Sequence, residues 1–154
     1  MAKHAVITRE RVAAEWDGSK RVSLKCKADI DNGNIVVLGD KLPGERELYD
    51  YSIPTASTKL DEIVILGTPE VMADERKKNI SDFYNEVGQP MDGDMLEKTN
   101  YVGLTEEAFG GTPVVGEFVE IEGGSTKLKP AATDANAVGK IVDLYNGKYG
   151  VQFL

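Results

Sequence analysis

Three short apolar runs in this chain fold back on themselves at glycine-bearing turns. The first runs from Val22 to Ile30, turns at Asp31-Asn32-Gly33 and continues from Asn34 to Leu38. The second runs from Glu117 to Glu122, turns at Gly123-Gly124 and continues from Ser125 to Leu128. The third runs from Gly139 to Tyr145, turns at Asn146-Gly147 and continues from Lys148 to Leu154. Asn-Gly and Gly-Gly supply the positive φ angles that tight hairpins need. A chain punctuated this way is constrained to antiparallel β structure.

The rest of the pattern agrees. Val22, Leu24, Cys26, Ala28 and Ile30 alternate with Ser23, Lys25, Lys27 and Asp29, as in a strand with one wet face. Asn34–Leu38 and Ile63–Leu66 are continuously apolar, which predicts strands covered on both faces. Glu47–Ile53 is a Tyr-rich run stopped by Pro54, and Leu96–Leu104 is a further strand candidate. Gln89–Asp94 reads as turn-rich. Thr105–Phe109 reads as one helical turn stopped at Gly110, and residues 70–82 as a solvated excursion. The alternation at the last residues places Phe153 and Leu154 in the sheet. The expected fold is mostly β: a single β-barrel or sandwich built from hairpins, with one or two short helical turns.

Residues 1–20 differ from the body, residues 21–154. Lys3, Arg9, Arg11, Lys20 and Arg21 make this start basic within a chain of net charge −8. Val12, Ala13 and Trp16 fall on one helical face, so Arg9–Trp16 suits two helical turns on an extended arm. A first strand at Ala5–Thr8 fits equally well. If the start is an arm, Lys3, His4, Arg9, Arg11 and Trp16 are the candidate partner-binding residues, because tryptophan and arginine are favoured interface anchors.

Composition narrows the function classes. Acidic residues outnumber basic ones 26 to 18, and such a field repels phosphate backbones, so no nucleic-acid partner is expected. No apolar stretch approaches the ~20 residues of a membrane span. The start lacks the apolar core of about 7–15 residues that a secretory signal carries. A soluble protein made in the cytoplasm, with no membrane partner, is the expectation. Cys26 is the sole cysteine, so no intrachain disulfide forms, and its place in the alternation predicts a small buried hydrophobe.

Catalytic constellations are thin. His4 is the sole histidine and no Gly-x-Ser-x-Gly occurs, which argues against Ser-His-Asp or Cys-His catalysis. Asp29, Asp31 and Asp40 take the first, third and last positions of a twelve-residue calcium-loop window. Gly33, however, falls at the fifth position instead of the sixth, so a hairpin is the better reading. Asp92 and Asp94 flank Gly93 and read as turn residues. Glu117, Glu120 and Glu122 lie near one another but straddle both faces of a strand, which does not suit glycoside hydrolysis. No catalytic residue, metal site or cofactor is assigned, and the chain is expected not to be an enzyme.

Three phrases, in order, carry a resemblance: Asp31-Asn32-Gly33-Asn34-Ile35-Val36-Val37-Leu38-Gly39, Pro69-Glu70-Val71-Met72-Ala73-Asp74-Glu75-Arg76-Lys77 and Gly111-Thr112-Pro113-Val114-Val115-Gly116-Glu117-Phe118. Over roughly residues 20–154 the chain resembles capsid decoration proteins, the auxiliary, head-stabilising proteins of tailed bacteriophages of Gram-positive hosts. The resemblance implies a non-enzymatic virion structural protein on the outer capsid surface. Its partners would be the major capsid protein and neighbouring copies of itself, with a trimer suiting three-fold sites. Two other classes fit the same features. One is another virion building block, a tail-tube or head–tail joining subunit. The other is a small carbohydrate-binding or hydrolytic β domain using an aromatic platform such as Tyr49 and Tyr51 beside Glu47.

Overall fold

A computed structural model describes residues 3–72 and 79–154. Eleven strands are described, in chain order β1 (Ile7–Arg11), β2 (Arg21–Lys25), β3 (Ile35–Lys41), β4 (Leu48–Ser52), β5 (Ile63–Leu66), β6 (Pro90–Met95), β7 (Tyr101–Leu104), β8 (Phe118–Ile121), β9 (Leu128–Ala131), β10 (Ala137–Tyr145) and β11 (Lys148–Phe153). The described helical segments are single 3-10 turns. The fold is mostly β, as expected, and holds both a sheet and a barrel. Strands β2-β4-β3-β5-β6 close a five-stranded barrel, and β1-β7-β11-β10-β8-β9 form a six-stranded sheet.

The two share a wall. On the paired strands β3 and β5, Val36 faces Val64 and Ile35 faces Ile65. Side chains alternate across a strand, so the two pairs point to opposite faces. Val36, Val64 and Leu66 fill the barrel with Val22, Leu24 and Met91. Ile35, Ile63 and Ile65 point out of it, into a second core against Val102, Leu104, Ile141, Val151 and Phe153 of the sheet. This explains the unbroken apolar run of β5, whose four residues are all buried. Each of the three outward isoleucines contributes about 1.5–3 kcal/mol of burial.

The third hairpin forms as expected. Tyr145 pairs with Lys148, and Asn146 and Gly147 take φ of 51° and 76°, as a two-residue type I′ turn requires. The second also forms, between β8 and β9, with its second strand starting at Leu128 instead of Ser125. The first does not form. Gly33 turns the chain at φ 82°, but β2 and β3 are not partners. β2 pairs with β6 antiparallel and with β4 in parallel, and Ile30 bridges to Asn85. Alternation fixes which face is buried, not which strand lies alongside.

Asp92-Gly93-Asp94 is not a turn but the middle of β6. Gly93 belongs there because a Cβ would collide with the Val64 side chain inside the barrel. The run Leu96–Leu104 divides: β6 ends at Met95, and β7 starts at Tyr101 after a turn in which Asn100 Oδ1 accepts from Glu97 N at 2.9 Å. Leu48–Ser52 and Glu106–Ala108 form the expected strand and helical turn. Of the excursion expected over residues 70–82, residues 73–78 lie outside the described residues. Phe153 is buried in β11, and its N–H donates to Asn100 O.

At the start of the chain the structure takes the strand reading and displaces it. Ile7–Arg11 pairs with β7 as an edge of the sheet, and Ala5, Val6 and Val12 are buried. The two expected helical turns reduce to a 3-10 turn at Ala13–Glu15. From Lys3 onward the segment is built into the body and is not a free arm. Edge pairing and the burial of Ala5, Val6, Ile7, Val12 and Ala13 outweigh the weak preference of so short a stretch for an isolated helix.

Candidate functional site

The candidate partner-binding residues have separate fates. Lys3 Nζ lies 3.6 Å from Glu107 Oε1 at the surface. His4 Nδ1 is 2.6 Å from Asp31 Oδ1, the His4 backbone N–H donates to Ser81 O, and the His4 ring stacks on Tyr84 at 4.7 Å. Asp31 Oδ2 also accepts from Ala5 N at 3.0 Å. A His–Asp pair is the arrangement that orients a catalytic imidazole, but a nucleophile must then meet the other ring nitrogen. Among the described residues no serine, threonine or cysteine bonds to it. Arg11 is exposed on the edge strand.

Arg9 points inward. Its Nε and Nη2 donate to Asp94 Oδ2 and Oδ1 at 2.6 and 3.1 Å, and Arg21 Nη1 donates to the same carboxylate at 2.9 Å. Asp94 is fully buried, while the two arginine side chains keep partial contact with water. Arg21 Nη2 also donates to Gly67 O at 2.8 Å. On the same outer face of the barrel Ser23 donates to Asp92 at 2.8 Å, directly across the β2–β6 pair. The clamp therefore ties β1 of the sheet to β2 and β6 of the barrel. Sequence reasoning missed it because Arg9, Arg21 and Asp94 are far apart along the chain. The one legible signal was an alternating strand at Arg21–Lys25 needing a partner of matching alternation.

A second buried network had no signal at all. Asn32 Nδ2 donates to Thr68 O at 2.9 Å, Thr68 Oγ1 donates to Asn85 Oδ1 at 2.6 Å, and Asn85 Nδ2 donates to Ile30 O at 3.1 Å. Asp29, from the calcium-loop window, accepts from Val87 N at 2.9 Å. Among the described residues no group of three or more His, Cys, Asp or Glu side chains is placed to hold a metal ion. Tyr51, offered as half of an aromatic platform, is buried, and its hydroxyl accepts from Lys27 N at 2.9 Å.

Lys3, Arg11 and Trp16 of the five candidates are exposed, and Trp16, 66% exposed, is the large apolar side chain among them. The backbone holds it there. Its N–H donates to Ala13 O, and the next residue, Asp17, accepts from Ser19 N at 3.1 Å and Ser19 Oγ at 2.6 Å. Those bonds hold the Asp17 carboxyl below the usual carboxylate range. The indole thus stands on a braced turn between the edge of the sheet and the first strand of the barrel. An exposed tryptophan on a defined backbone is suited to filling a pocket in a partner.

Comparisons with protein-family models, with curated proteins and with solved structures find no match to this chain.

Proposed function

We propose that this chain is a non-enzymatic virion structural protein that decorates the outer surface of a tailed-phage capsid and stabilises it by binding the major capsid protein. Three sequence phrases carry the resemblance to decoration proteins. The structural observation that supports the reading is Trp16, a large apolar candidate partner-binding side chain that the fold leaves exposed. Histidine and the central carboxylates are engaged in cross-links, so the body is built for rigidity. A protein that binds only the mature shell stabilises it by its binding energy. Repetition over a symmetric lattice multiplies a weak contact by avidity.

The test is co-sedimentation of the purified protein with expanded heads of the phage that encodes it. Stoichiometric occupancy supports decoration. Trp16→Ala should weaken single-site binding about 30-fold, the value of a ~2 kcal/mol anchor, with an unchanged melting temperature. Deleting residues 2–16 is unsuitable because it removes β1 and the buried Val12. Absence of the wild-type protein from the head pellet, or its assembly into rings or tubes, would overturn the proposal and favour a joining or tail-tube subunit.

A further inference from the structure

The outer face of the six-stranded sheet carries a shallow trough of about 180 Å³. Its floor is one cross-strand row. Thr8 pairs with Gly103, Gly103 with Gly150, and Gly150 with Asp143. Gly103 and Gly150, both buried, put no side chain of their own in the middle of the row, so the side chains of Lys148 and Tyr101 lie close over it. The Tyr101 ring lies across Gly150, where a Cβ would overlap its hydroxyl. That hydroxyl donates to Asp143 Oδ1 at 2.6 Å. Lys148 Nζ donates to Thr8 Oγ1 from another wall. Glu10, Tyr145 and Asn146 complete the rim, and Tyr145 is 76% exposed at the tip of the β10–β11 hairpin.

We propose that this trough binds one ring of a neutral saccharide. Size is the first argument. The volume equals about six waters at ~30 Å³ each, below the ~300–1,000 Å³ of sites for drug-sized ligands. Charge is the second. An anion would face the carboxylates of Glu10 and Asp143, and a cation would face the ammonium of Lys148. A hydroxyl both donates and accepts, so a neutral polyol satisfies the carboxylates, the ammonium and the Asn146 amide together. The third is Tyr145, whose ring gives an apolar platform with a polar tip. A sugar ring likewise has a C–H face and a hydroxyl edge. The aromatic-plus-carboxylate combination sought at Tyr49, Tyr51 and Glu47 occurs here instead, on other strands.

This proposal is independent of docking through Trp16. The experiment is amide chemical-shift mapping on the full chain, titrated in turn with glucose, galactose, N-acetylglucosamine and rhamnose. Glycerol, lysine and inorganic phosphate serve as controls. At least one sugar should shift the amides of Gly103, Lys148 and Gly150 saturably. Tyr145→Ala should weaken that binding about tenfold. Gly103→Val should abolish it by filling the floor, where a Cβ meets only ordinary contacts with Lys148 and Thr8. Tyr145 lies outside both cores, so its variant keeps the test valid if Gly103→Val fails to fold. Failure of every sugar to shift these amides would overturn the proposal. So would shifts that survive Tyr145→Ala, or equal or larger shifts with glycerol, lysine or phosphate.

Discussion

Asp94→Asn should be among the most damaging single-atom exchanges available in this chain. The carboxylate is fully buried and accepts three hydrogen bonds, two from Arg9 and one from Arg21. Asparagine removes the charge and turns an N–H₂ group toward one guanidinium. Removing one partner of a buried ion pair costs about 3–5 kcal/mol because the remaining charge is uncompensated. Here the arginine side chains are 30% and 25% exposed. Water therefore reaches them in part, which puts the loss near the lower bound, about 3 kcal/mol. For a domain of this size each 1 kcal/mol moves the melting temperature by about 2–4 °C, so a fall of about 6–12 °C is expected. Urea unfolding followed by Trp16 fluorescence and by circular dichroism measures the loss directly. Asp92→Asn is the internal control: Asp92 is partly exposed, and its variant should lose no more than about 1 kcal/mol. Arg9→Met combined with Asp94→Asn should lose less than the sum of the two single losses, since both break the same contact. An Asp94→Asn loss as small as that of Asp92→Asn would refute the claim that this clamp locks the sheet to the barrel.

Two further outcomes follow from the titrating groups. The Tyr101 phenol is pushed up to about 12 by burial, by its hydrogen bond to Asp143 and by the charges of Asp143 and Glu10. The folded state thus holds the phenol proton more tightly than the unfolded chain, so this stabilisation is complete below about pH 10 and is lost as pH rises from 10 to 12. Ultraviolet titration of the native protein should show one tyrosine ionising late, and Asp143→Asn should lower its midpoint; an unchanged midpoint would count against the bond. Burial pushes the Cys26 thiol up, and its Sγ donates to Ala28 O at 3.0 Å. A thiol reagent should therefore label Cys26 only as fast as the protein opens, and immediate labelling of the native state would contradict its buried position.

What the sequence disclosed was local. Asn146-Gly147 names its own hairpin because the two-residue turn determines the pairing of the strands on either side. The run Ile63–Leu66 announced a strand covered twice, and the shared wall between barrel and sheet is the reason. Strand partners were not legible. Arg21 faces Asp94 across 73 residues, and no local pattern encodes that distance. Asp92-Gly93-Asp94 carries turn composition yet forms a strand, because the glycine is selected by the Val64 side chain opposite it and not by a bend. The trough was hidden for the same reason. Its floor is assembled from four strands, and neither Gly103 nor Gly150 is distinctive alone.

Three of the carboxylates in this chain cross-link its elements. Asp31, Asp92 and Asp94 each accept hydrogen bonds from another element, so their lone pairs are engaged before any ligand arrives. Such groups stabilise one arrangement of two β bodies. Trp16 and Tyr145 are the opposite case. Each is large, aromatic and open to water, and each stands on backbone fixed by a defined turn, outside both apolar cores. Replacing either leaves the packing of barrel and sheet intact. A binding defect in Trp16→Ala or Tyr145→Ala with an unshifted melting temperature therefore reports on a surface, whereas a defect in Asp94→Asn reports on the frame that presents it.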